Sequence, residues 1–128
     1  MHDANPQGVV AVRTGVAIDA KQRLPTFVGV SAATVGASGL SMQLVVIPPG
    51  AAAEPHIHQG YETAIYLISG QVETTYGPGL RQAVVNGPGE FLYIAADVPH
   101  QARNLSDTEP AVGLVARNDA NEQERVVL

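Results

Sequence analysis

The sequence predicts an all-β domain of antiparallel strands, and two observations carry that expectation. Thirteen Gly and nine Pro in 128 residues require frequent turns, which suit many short strands better than a few long helices. From residue 64 to 117, apolar or alternating stretches are separated by turn signals about every ten residues, the spacing of a sandwich or barrel. A chain of this length is one domain and can bury a real core.

Taken in order, residues 1–8 read as a loose terminus, because Pro6 and Gly8 break any pattern. VVAVR (9–13) is expected as a first strand, DAKQRLP (19–25) as a polar connection, and TFVGV (26–30) as a second strand. Small residues dominate 29–39, where strand register is weakly specified and no strand ends are placed. A long strand at 40–47 stops at Pro48-Pro49-Gly50. A meander follows: AIYLIS (64–69) ends at Gly70, QVETTY (71–76) at Gly77-Pro78-Gly79, and LRQAVV (80–85) at Gly87-Pro88-Gly89. EFLYIA (90–95), HQARNL (100–105) and AVGLVAR (111–117) complete it. The tail fits either a short capped helix, with Asn118 or Asp119 as cap, or a terminal strand. No other helix is expected, and the strand total is roughly eight to eleven. The expected organisation is an N-terminal arm and strands (1–30), a barrel core (40–117) and a C-terminal tail (118–128).

Charge and composition narrow the partners. The formal net charge is −5 and Lys21 is the sole lysine among seven basic residues, so no basic stripe exists to neutralise phosphates and no nucleic-acid partner is expected. No apolar run is long enough to cross a bilayer, and residues 1–8 lack the features of a signal peptide, so a cytoplasmic protein without a membrane partner is expected. The absence of cysteine removes thiol nucleophiles and thiolate metal sites; any metal here has nitrogen and oxygen ligands.

One stretch departs from simple strand patterning: PHIHQGYE (55–62). Side chains at i and i+2 on a strand share a face, so His56 and His58 project together. A straight continuation would carry Glu62 about 13 Å beyond His58. A turn at Gln59-Gly60 instead returns it toward the histidines. Two imidazoles and a carboxylate suit a divalent cation, and they equally suit a structural ion pair. Further along, GEFLYIAADVPHQARN (89–104) delivers His100 after Pro99, with Asn104 four residues later. His2, in the loose terminus, is excluded from the site.

These residues resemble a single-domain cupin. Gly50, His56, His58, Glu62 and Gly70 fit the first cupin motif, G-x5-H-x-H-x3/4-E-x6-G, with seven residues rather than six between Glu62 and Gly70. Thr63 is the alternative occupant of the carboxylate position in the longer form of the motif. Gly89, His100 and Asn104 fit the second motif, G-x5-P-x-G-x2-H-x3-N, in which Ala95 and Asp97 replace the usual Pro and Gly. The resemblance implies a double-stranded β-helix or jelly-roll barrel, and a site in which His56, His58, Glu62 and His100 hold one divalent transition metal. Mn, Fe, Ni, Co and Zn are all compatible with such ligands.

The resemblance further implies a metal-dependent enzyme acting on a small molecule. Its chemistry would be dioxygenase-like, with O2 and a bidentate oxygen substrate, or isomerase-like, for example on a sugar phosphate. The alternative is a non-catalytic module that binds a metal or metabolite. A homodimer paired through N-terminal strands is expected, and Asn104 is expected to tie backbone rather than touch substrate. Tyr66, Tyr76, Tyr93 and Phe91 are expected in the barrel core. Arg103 and Gln101 either orient an anion or form a solvated strand face.

Overall fold

The structure is a computed structural model that describes residues 8–15, 18–19, 24–121 and 126–127. Expectations that fall on residues 1–7, His2 among them, on 20–23 of the polar connection DAKQRLP, and on 122–125 lie outside the described residues. Strands β1 (Ile18–Asp19) and β2 (Pro25–Val30) precede a four-residue helix α1 (Ala32–Val35). Then come β3 (Ser41–Ile47), β4 (Ile57–His58), β5 (Thr63–Ser69) and β6 (Val72–Tyr76). The order closes with β7 (Gln82–Asn86), β8 (Phe91–Ile94), β9 (His100–Asn104), β10 (Ala111–Arg117) and β11 (Val126–Val127).

The strands form a sheet in the order β1-β2-β3-β10-β5-β8, a three-stranded sheet β7-β6-β9 and a two-stranded pair β11-β4, all antiparallel. Residues 52–58 join the last two groups, because Ala52 bridges Arg103 and His56 bridges His100. The six-stranded sheet faces the three-stranded one, and β8 and β7 are the strands at their respective ends.

Period-two patterning decides which side chains meet between the sheets. Along β3, Ser41, Gln43, Val45 and Ile47 are buried, and along β10 so are Ala111, Gly113, Val115 and Arg117. Leu24, Ala53, Leu67 and Val72 complete the apolar cluster with Val45, Ile47, Ala111 and Val115. Burying each larger aliphatic side chain contributes about 1.5–3 kcal/mol. The apolar part of the interior therefore carries the fold and leaves room for a polar part.

Three expectations need correction. Residues 8–15 form no strand and pair with no strand among the described residues, and Val9 and Val10 are 99% and 42% exposed. The small-residue segment contains α1, where Ser31 and Thr34 form a reciprocal capping box and Gly36 ends the helix in the left-handed region (φ 72°). Three of the four aromatic residues expected in the core instead face outward, with Tyr66, Tyr93 and Phe91 at 37%, 63% and 80% exposure, while Tyr76 is half-buried. The three outward positions on β5 and β8 alternate with the inward Thr63, Ile65 and Ile94, so strand parity puts them outside. The fully buried aromatic residue is Tyr61, in the turn before β5.

Candidate metal centre

The structure brings His56, His58 and His100 together as a buried cluster whose candidate ligand atoms lie within 4.8 Å of one another. Each histidine arrives by local rules. His56 and His58 flank Ile57 in extended backbone and so share a face. His56 and His100 exchange both backbone hydrogen bonds, at 3.0 and 2.9 Å, which locks them opposite each other. Gly60 turns the chain at φ 79°. Asp97 clamps that turn: its backbone N–H donates to the His58 carbonyl (2.9 Å), and its Oδ1 accepts from the Gly60 N–H (3.0 Å). Asp97 occupies the left-handed region (φ 65°) that favours glycine, and its side chain adds a tie that glycine cannot make.

The outer ring nitrogens are anchored. His56 Nδ1 donates to the Glu54 carbonyl (2.6 Å) and His100 Nδ1 to the Val98 carbonyl (2.9 Å). A carbonyl only accepts, so both neutral rings carry the proton on Nδ1 and keep a lone pair on Nε2. His58 Nδ1 lies 2.8 Å from Thr63 Oγ1, a hydroxyl that can either donate or accept. His56 Nε2 and His58 Nε2 are 3.0 Å apart. Two lone pairs at that distance repel unless a proton or a cation lies between them. Ligands 2.0–2.1 Å from one ion and at right angles to each other are about 3 Å apart, whereas a tetrahedral angle separates them by about 3.4 Å. The donor set therefore fits one divalent metal ion, with anchored outer nitrogens of the kind that orient ligating imidazoles.

Glu62 does not join the cluster. Its side chain is exposed and lines an outer hollow with Met42, Tyr93 and Asn118, while its backbone N–H donates to Asn118 Oδ1 (2.8 Å). Thr63, 1% exposed, faces inward. The cause is parity. The seven residues between Glu62 and Gly70 shift the carboxylate by one position along an alternating strand, and one position exchanges the faces.

Other expected residues have structural partners. Asn104 Nδ2 donates to the carbonyls of Ile47, Pro48 and Glu109, and its Oδ1 accepts from the Ser106 N–H. Arg103 pairs with Glu73 at 3.0 Å on the surface, and Gln101 donates to the Ala53 carbonyl. Tyr61, which sequence patterning did not single out, stacks on His58 with ring centroids 5.1 Å apart, and the Arg117 guanidinium sits 5.9 Å from the Tyr61 centroid. The three imidazoles line a cavity of about 80 Å³ between the sheets, shared with Thr63, Val45, Leu67 and Val115. None of the helices among the described residues is long and apolar enough to cross a membrane.

The fold has clear structural neighbours. In structures of Bacillus subtilis oxalate decarboxylase, one single-site variant aligns with 88% of this chain at 22% identity and a TM-score of 0.73. The same enzyme at pH 4.6 aligns with 93% at 20% identity and a TM-score of 0.69. Another of its structures, concerned with that enzyme's Mn(II) centres, gives 22% identity and a TM-score of 0.72. The chain spans 29% of the length of these proteins. No curated protein sequence matches it. The cupin domain model matches residues 43–117, from within β3 to the end of β10, and with both histidine segments inside that span the chain belongs to the cupin family.

Proposed function

We propose that this chain is a metal-dependent enzyme in which His56, His58 and His100 hold one divalent transition metal and a small oxygen-donor molecule binds beside it. The observation that carries the reading is the fixed tautomer of His56 and His100, which turns Nε2 lone pairs toward the cavity between the sheets. Such an ion supplies Lewis-acid polarisation of a bound oxygen and open positions for ligands. The chain's own residues hold the rings, exclude bulk water and, through Thr63, fix the orientation of His58.

Among the described residues lining the cavity, no carboxylate or lysine stands ready as a general base, and no cationic side chain stands ready for a phosphate. That favours the oxygenase-like reading over isomerisation of a sugar phosphate. The test is metal content by mass spectrometry after loading with Mn, Fe, Ni, Co or Zn. Close to one ion per chain is expected in the wild type, and little in His56→Ala or His58→Ala. O2 uptake with catechols, diketones and thiols then separates enzyme from binder; persistent silence with every metal would leave a non-catalytic binding module.

A homodimer belongs to the same proposal. The outer face of the large sheet exposes Met42, Tyr66, Ile68, Phe91 and Tyr93, a patch that a second copy would cover. Native mass spectrometry at micromolar concentration should show the dimer, and Phe91→Lys should give monomers.

A further inference from the structure

Beyond the imidazoles, the cavity wall is aliphatic except for a few neutral polar side chains. Three of these are Gln43 from β3, Thr74 from β6 and Asn86 from β7. They come from the two facing sheets and are only 3%, 3% and 6% exposed. Gln43 Oε1, Thr74 Oγ1 and Asn86 Oδ1 have no hydrogen-bond partner. An orphaned buried polar atom costs about 1–3 kcal/mol, and apolar side chains of similar shape would avoid that cost. Three such atoms around one 80 Å³ cavity are therefore best explained by something that enters it.

The way in is visible. A second hollow, of about 350 Å³, is lined by Val84 of β7 and Tyr93 of β8 and shares Thr74, Leu92, Ile94 and His100 with the cavity. It lies between the end strands of the two sheets, so Thr74 stands where the entrance meets the interior. Among the described residues, neither the hollow nor the cavity is lined by Lys, Arg, Asp or Glu.

Resting on the metal-site reading above, we propose that Gln43 and Thr74, one from each sheet, form a neutral polar subsite; Asn86 lies deeper, in the Val72–Asn104 row four residues from the His100 row. The subsite holds the uncharged hydrogen-bonding end, amide or hydroxyl, of a small oxygen chelate whose other end binds at the histidines. A second carboxylate at that end would be buried with no counter-charge from the protein. A methyl group would leave both oxygens unpaired. A primary amide brings two N–H donors to a wall of acceptors. Sites built to hydrogen-bond a ligand group discriminate strongly against the analogue that lacks it.

Oxamate, pyruvate and oxalate test this directly. They share a carboxylate next to a carbonyl and differ only at the far end, which is –NH2, –CH3 or –O⁻. Binding is measured by calorimetry on the metal-loaded protein, with metal content determined on the same samples. Oxamate is expected to bind at least about tenfold more tightly than the other two, the effect of one or two hydrogen bonds. In the combined Gln43→Leu, Thr74→Val variant the preference should vanish, with metal content unchanged and Tm not lowered. Should that variant fail to fold, the isosteric Thr74→Val alone should weaken oxamate several-fold and leave pyruvate unaffected. Equal affinity for oxamate and pyruvate in a fully loaded wild type, or a preference that survives the substitutions, overturns the subsite and leaves the metal reading standing. A wild type that takes up none of the five metals overturns both.

Discussion

His58 Nδ1 lies 2.8 Å from Thr63 Oγ1, so the residue in the strand position of the expected carboxylate serves as the outer partner of a histidine. When His58 presents its Nε2 lone pair to a cation, its Nδ1–H donates to that hydroxyl; without the cation the hydroxyl can donate instead. Thr63→Val keeps the shape and removes this partner. Loss of such an outer hydrogen bond typically lowers metal affinity by about 10–100-fold. Competition titrations with a chelator should show that loss, while thermal unfolding of the metal-free variant should stay near wild type.

Glu62 provides the complementary prediction. Its side chain is exposed on the opposite side of the strand from the imidazoles. Glu62→Gln should therefore leave metal stoichiometry and affinity within about twofold of wild type, since surface charges at such positions contribute little. Metal content of the two proteins, purified in parallel, decides it: a large loss in the variant would mean that the carboxylate reaches the ion.

Much of the architecture was legible because it rests on local periodicity. Between Gly70 and Gly77, QVETTY alternates and contains β6, and AVGLVAR is an apolar run after Pro110 that forms β10. The histidines were legible because their spacing encodes a shared face. Three things were not. The inward or outward choice between Glu62 and Thr63 turns on a single residue of register before Gly70, which composition does not reveal. VVAVR has strand composition, but pairing is a property of neighbours and not of the segment. Gln43, Thr74 and Asn86 sit in ordinary alternating strands, and their lack of partners emerges only once the sheets face each other.

Asp97 joins the two histidine segments, and its two roles can be separated. It holds a left-handed backbone at φ 65° and accepts from the Gly60 N–H. Asp97→Gly relieves the backbone cost but drops the side-chain bond; Asp97→Ala drops the bond and keeps the strain. Each contribution is about 1 kcal/mol. Urea unfolding should therefore rank Asp97→Ala as the less stable of the two, with both weakening metal binding because the Gly60 turn loosens beside His58. Equal stability of the two variants would show that backbone conformation is not what fixes this residue.

Gly70, immediately after β5, packs tightly against the start of β10. It has φ 93°, and a Cβ there would lie 2.7 Å from both Cα and Cβ of Ala111. Ala111 is 1% exposed and paired with Ile47 of β3, so its backbone cannot retreat cheaply. Gly77 makes a matched control: its φ is 84°, but a Cβ would meet only the Gln82 side chain, at 3.8 Å. Gly77→Ala should incur the left-handed penalty alone, about 1–2 kcal/mol. Gly70→Ala should add overpacking of about 1–3 kcal/mol to a similar penalty. Chemical denaturation of the two variants isolates the contact as their difference. Because β10 carries Val115 and Arg117 into the interior, the Gly70 variant should also lose metal affinity, whereas the Gly77 variant should keep it.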